Sequence, residues 1–298
     1  MSGQGVTKAP DYCVTQGEGE FTDENQSCAS LLRESGRLMP VRAAIGRAVR
    51  DAATATLPLS LRLWLRGVQR KLKLQSVPVG SVDFGSLRRL DPISPIFGKD
   101  RDLVSIERHY IESFLQSNSD YIKGRVLELG DATYIKRFGG DNVQIADVLH
   151  YVEGNRDATI VGDFTKSDTI PKDAFDCMII TQTLQMIYDI RPAIRTIHDA
   201  LKPGGVVLCT SHGISPIARR EGIDDWGEYW HFTSQSMRRL FEEVFPSENL
   251  DIRTYGNIFT VIGSLHGLAA QEVLPEELEY CDPKYEMIIA LKAQRPLD

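Results

Sequence analysis

Between Lys123 and Lys292 the chain alternates short apolar runs with longer amphipathic ones, and that alternation restricts it to an α/β protein with a doubly wound, mostly parallel sheet. Val126–Leu129 reads as a first strand, Val143–Ala146 as a second and Thr159–Val161 as a third. Phe175–Thr181 is apolar almost throughout, the pattern of a strand buried on both faces. Val206–Thr210, Leu250–Tyr255 and Met287–Lys292 complete a set of seven. The intervening stretches carry helical stripes. Ile106, Tyr110, Ile111, Phe114 and Leu115 mark a helix over roughly Leu103–Gln116, and Ile194, Ile197 and Leu201 mark one with Pro192 in its first turn. That second helix is expected to stop at Lys202-Pro203-Gly204-Gly205. A further helix is expected to start at Thr233 or Ser234 and to stop at Pro246.

Four regions follow from composition. Residues 1–30 are polar and Gly-rich and read as a mobile tail. Residues 31–75 form a basic helical extension with a local charge of +8, which leaves −15 on the rest of a chain whose net charge is −7. Its arginines either face solvent on a helix packed against the main domain, or meet anionic lipid or an acidic partner. Residues 76–102 are a Gly/Pro/Ser-rich linker, too apolar to stay loose in water, and 103–298 form the main domain. The acidic balance argues against a general nucleic-acid binder. No secretory signal and no run of about 20 apolar residues is visible. Five scattered cysteines argue against a disulfide framework or a zinc site. Together these suit a cytoplasmic protein, with peripheral membrane contact open through residues 31–75.

The stretch KGRVLELGDATYIKRFGGDNVQIAD, residues 123–147, reads as strand, acid–glycine turn, short helix and second strand. A doubly wound sheet binds ligands outside the carboxyl ends of its strands, which puts Glu128, Gly130 and Asp131 where a nucleotide-like cofactor would lie. Asp147 and Asp163 are expected at the next two strand ends, with Asp147 placed to accept hydrogen bonds from a ribose diol. An acid at a strand end also serves as a helix cap, which alone would explain Asp131.

The ordered set VLELGD, Asp147, GDF at Asp163, FDCMIITQTLQMIYD, IHDALKPGG and VVLCTSHG resembles the class I S-adenosylmethionine-dependent methyltransferases, of the type-11 kind. DFGSLRRLDPISPIFG and DDWGEYWHFTSQSMRRLFEEVFP resemble bacterial methyltransferases encoded among glycan-biosynthesis enzymes. The resemblance implies a Rossmann-like fold with S-adenosyl-L-methionine as cofactor. It implies that Glu128, Gly130 and Asp131 form the cofactor turn, that Asp147 holds the ribose, that Asp163 and Phe164 lie near the adenine, and that Thr181 and Gln182 close over the methionine part. The turn departs from the family's three glycines at Ala132 and Tyr134, and Tyr134 forbids a close backbone approach there.

Methyl transfer to a hydroxyl needs a base for the departing proton. His212, Asp225 and His231 are the candidates, with Asp224 and Glu228 nearby; histidine titrates near neutrality, but a loop histidine also serves simply to bond backbone. Trp226, Tyr229, Trp230 and Phe232 stand among acids and suit either a sugar ring or a hydrophobic lid. The expected activity is O-methylation of a sugar or glycan precursor. A small-metabolite or lipid acceptor, and a catalytically weak scaffold, are the alternatives. No metal-ligand spacing, no G-x-G-x-x-G and no G-x-S-x-G elbow occurs, and no Asn/Asp-Pro-Pro-aromatic tetrapeptide follows the fourth strand.

Overall fold

The structure is a computed structural model that describes residues 90–99, 102–217, 219–220 and 226–297. The proposed tail, the basic extension and most of the linker lie outside the described residues. The linker's described part rests on the domain: Ser94 N donates to His266 O, Gly98 packs against Ala269, and Ile93 joins the core.

The chain builds α1 (Ile106–Ser117), β1 (Gly124–Leu129), β2 (Val143–His150), β3 (Ile160–Val161), β4 (Phe175–Thr181), α2 (Ile190–Ala200) and β5 (Leu201–His212). It continues through α3 (Ser234–Glu242), β6 (Leu250–Tyr255), α4 (Ile258–Leu265), α5 (Pro275–Glu279) and β7 (Ile288–Gln294). The sheet order is β3-β2-β1-β4-β5-β7-β6, with β7 the one reversed strand among the seven. This is the seven-stranded Rossmann-like sheet that the alternation predicts. Arg219–Arg220 and Trp226–Gly227 form a separate two-stranded pairing.

Strand alternation sorts the core into two layers. Leu127, Met178, Ile180, Val207 and Cys209 face α2 and α3, where Ile194, Ile197, Met237 and Phe241 meet them. Val126, Cys177, Ile179, Val206 and Leu208 face α1 and α4, against Ile106, Tyr110, Phe114, Leu115 and Val261. A strand such as Phe175–Thr181 needs apolar residues at consecutive positions because both of its faces are covered. The five α1 residues read as its buried stripe are all buried.

Caps set where the helices begin. Ser105 Oγ accepts from Arg108 N ahead of α1, and Thr233 and Ser236 form a reciprocal capping box ahead of α3. The helix α4 is absent from the sequence reading, although Asn257, whose side chain accepts from Phe259 N and Thr260 N, signals its start. Helix α2 stops at Ala200, and Lys202–Gly205 lie within β5 as an outward bulge between Leu201 and Val206, which pair with Phe175 and Cys177. Gly204 takes φ +78° there. Cys177 and Cys209 are buried free thiols in the sheet.

One placement differs in a way that matters. Strand β2 runs on to His150, so Asp147 is not at its end but opposite Leu127 inside the sheet. Its Oδ2 lies 2.7 Å from Arg125 Nε and its Oδ1 accepts from Thr159 Oγ1 at 2.7 Å. Arg125 sits near the start of β1, so the carboxylate is drawn toward the amino end of the strands and is buried there. Removing it leaves Arg125 and Thr159 without their acceptor. Asp147→Ala is expected to lower the unfolding free energy by roughly 1.5–3 kcal/mol, typical of lost charge-assisted bonds. Urea denaturation would register this as a lower midpoint with an unchanged slope.

Candidate functional site

Strand order reverses between β1 and β4, and a cleft opens at their carboxyl ends, as this topology requires. Its cavity is about 300 Å³, at the small end of ligand pockets. The turn after β1 supplies Glu128, Asp131, Thr133 and Tyr134, the end of β4 supplies Thr181 and Gln182, and the start of α1 supplies Ser105, Glu107, Arg108 and Ile111.

Glu128 fastens this turn. Its two oxygens accept from Tyr134 N at 3.1 Å and Ile135 N at 2.8 Å, which ties the end of β1 to the single π-helical turn Ile135–Gly139. Burial pushes its pKa up to about 7, against the pull of those two amides. Gly130 has φ +82° and nothing within 4 Å of where a Cβ would stand, so a ligand can approach this backbone closely. Asp131 Oδ1 accepts from Thr133 N at 2.7 Å, closing a local turn. Tyr134, standing in place of a glycine, is buried beside Phe138 at 5.9 Å between ring centroids, and its amide is spent on Glu128.

Gln182 has φ +50°, a left-handed conformation that a non-glycine residue adopts at a cost. Three bonds hold it: its N donates to Thr210 O, its Nε2 to Thr210 Oγ1 at 3.3 Å, and its Oε1 accepts from Gln185 Nε2 at 2.8 Å. Gln185 O in turn accepts from Tyr229 N and Trp230 N, linking the cleft to the aromatic segment. Tyr188, Tyr229 and Trp230, 65%, 61% and 37% exposed, form an open aromatic surface. Tyr188 stacks on Trp230 at 6.0 Å and meets Tyr229 edge-on at 5.4 Å. Phe232, by contrast, is core.

Beside the cleft lies a charged cluster. His212 is the last residue of β5, pairing with Ile288, rather than a loop residue beyond it. Its Nε2 is 3.2 Å from Glu228 Oε1, and His231 Nε2 is 3.4 Å from Glu228 Oε2. The Glu228 side chain is 1% exposed and that of His212 9%. His212 Nδ1 is buried without a hydrogen-bond partner. Glu107 adjoins this cluster: its pKa is raised by burial, pulled down by His212 and the Ser264 hydroxyl, and pushed up again by Glu228.

Of the residues expected at the site, the cavity gathers Glu128, Asp131, Thr181 and Gln182, with Gly130 between them in the turn. Asp147 is withdrawn into the sheet. Asp163 closes a turn with Thr165 N and Oγ1, and Phe164 is buried in the core, so neither lines the cavity. Asp225 lies outside the described residues. Glu107 was missed because an acid in a helix's first turn is ordinary there.

A family described as methyltransferase domain matches residues 103–251, half of the chain. The chain belongs to that family. It is a methyltransferase. No curated protein matches the sequence of this methyltransferase significantly. Among solved structures, it is similar to an S-adenosylmethionine-dependent methyltransferase from Mesorhizobium loti, with TM-score 0.41 and 15% identity over 64% of this chain and 98% of that one. A SAM-dependent methyltransferase from Archaeoglobus fulgidus gives 0.42 and 11% over 63% and 94%. Burkholderia thailandensis 1,6-didemethyltoxoflavin-N1-methyltransferase gives 0.39 and 11% over 63% and 77%. Among the described residues no group of three or more His, Cys, Asp or Glu could hold a metal ion, and no helix is long and apolar enough to cross a membrane.

The raised Glu128 pKa has a consequence for the methyltransferase's stability. The folded carboxyl titrates near 7 and the unfolded one near 4.5, so the native state holds the extra proton between those values. Glu128 therefore favours the fold below pH 4.5 and loses that contribution as pH rises to 7, by on the order of 3 kcal/mol. In chemical denaturation across this window, the stability of Glu128→Gln relative to the wild type is expected to climb from pH 4.5 and level off above 7.

Proposed function

We propose that the enzyme O-methylates a sugar or glycan precursor, with His212 as the base. The observation that carries this reading is the unpartnered, buried Nδ1 of His212. With Nε2 facing the Glu228 carboxylate, the proton belongs on Nε2, and Nδ1 keeps a free lone pair for an acceptor hydroxyl. His231, on the other oxygen of Glu228, helps hold that carboxylate in place.

The cleft's residues fit the cofactor: Gly130 admits close approach, Glu128 and Asp131 offer carboxylates beside it, and Thr181 and Gln182 form the β4 side. When bound, the cofactor supplies an electrophilic methyl group, the acceptor oxygen forming the new C–O bond while the C–S pair leaves with sulfur. His212 Nδ1 takes the hydroxyl proton, and Glu228 stabilises the imidazolium that results. Tyr188, Tyr229 and Trp230 offer flat faces on which the C–H groups of a sugar ring can lie. The chain connects this surface to the base, since Glu228 immediately precedes Tyr229.

Isothermal titration with S-adenosylmethionine and S-adenosylhomocysteine is the first test, with micromolar binding expected. Methyl-labelled cofactor incubated with nucleotide sugars, small hydroxylated metabolites and lipids then separates the acceptors. Label on a nucleotide sugar is the expected result, whereas label only on a lipid or metabolite would replace the sugar reading. Absence of cofactor binding would return the scaffold alternative. His212→Ala is expected to cut transfer by about 10²–10⁴-fold with cofactor affinity unchanged. Transfer at the wild-type rate in that variant would remove His212 as the base.

A further inference from the structure

Glu107 is a half-buried carboxylate without a cationic partner among the described residues. It lines the cleft beside Glu128, Asp131 and Gln182, and its Oε1 accepts from Ser264 Oγ at 3.1 Å on α4. No Lys, Arg or His stands within ion-pair distance of it among the described residues. His212, a basic group that acts on it, is already opposite Glu228, which itself repels Glu107. Its sequence neighbour Arg108 is exposed and makes no ion pair with it. A carboxylate that lines a ligand cavity and lacks a cation of its own is available to a positive charge on the ligand.

We infer that Glu107 gives the enzyme its preference for the charged cofactor over its neutral product, by setting a carboxylate in the cleft against the sulfonium. The inference rests on S-adenosylmethionine being the cofactor. Substrate and product share the adenosine, the ammonium and the carboxylate, and differ in the methyl group and its positive charge. A residue that senses that charge changes one affinity and not the other. Methyl transfer then removes Glu107's partner in the same step that makes product, and product affinity drops.

The test is titration of wild type and of Glu107→Gln with both ligands, alongside the ligand-free melting temperature. Glutamine keeps the size of the side chain and can still accept from Ser264. Wild type is expected to bind S-adenosylmethionine at least tenfold more tightly than S-adenosylhomocysteine. Glu107→Gln is expected to weaken the former tenfold or more, to change the latter less than twofold, and to melt no lower than wild type, since a strained charge has been removed. Glu107→Asp, which keeps the charge, is expected to retain most of the preference. Equal loss for both ligands would make Glu107 a contact for a shared group and overturn the inference alone. Parity of the two ligands on wild type would overturn it even if the glutamine variant failed to fold. No binding of either ligand to wild type would remove the cofactor assignment, and the inference with it.

Discussion

The bond pair from Glu128 to the amides of Tyr134 and Ile135 is the constraint on which the cleft depends. It joins the last turn of a central strand to the first turn of the helix that follows, at the point where the sheet reverses its order. Without it the β1 turn would have two free amides and no fixed width. The carboxyl is held although burial raises its pKa, so the turn carries a permanent tension between desolvation and hydrogen bonding. Gly130 sits two residues on, and the cleft owes its open backbone to a glycine at φ +82° between two anchored acids.

The same tie explains how the turn functions with Tyr134 where the family places a glycine. A glycine there would serve close approach of the backbone. In this chain that amide already points to Glu128, and the tyrosine ring fills space against Phe138 as a wall of the cavity. The turn keeps its conformational freedom at Gly130 and gives it up where a side chain does the packing.

The sheet was legible because burial on both faces leaves no latitude. Cys177, Met178, Ile179 and Ile180 are all fully buried, and only a central strand makes such a run. The stripe on α1 was legible for the matching reason, one face in and one out. Asp147 was not, because a polar residue after Ile145 and Ala146 looks like an exit from the strand. What keeps it inside is a guanidinium from β1 and a hydroxyl from Thr159, and such tertiary partners leave no local trace. Of the residues named from the motif, Glu128, Asp131, Thr181 and Gln182 line the cavity, whereas Asp163 and Phe164 are taken up by turn closure and core packing. Glu107 reaches the cavity only because α1 packs on the same sheet edge, and no spacing in the sequence records that.

The charge on the cavity wall narrows the ligand further than the fold does. A Rossmann-like sheet accepts dinucleotides as readily as sulfonium nucleosides, since both lie across the same reversal of strand order. A pyrophosphate there calls for free amides at a helix N-terminus and for little negative charge beside it. Here the amides of Tyr134 and Ile135 are already taken by a carboxylate, and Glu107, Glu128 and Asp131 share the wall with Arg108 as the basic residue among those lining it. Such a wall opposes a polyanion and favours a ligand bearing a sulfonium and an ammonium. In this turn the Glu128 carboxyl therefore occupies the two amides that a phosphate would otherwise seek.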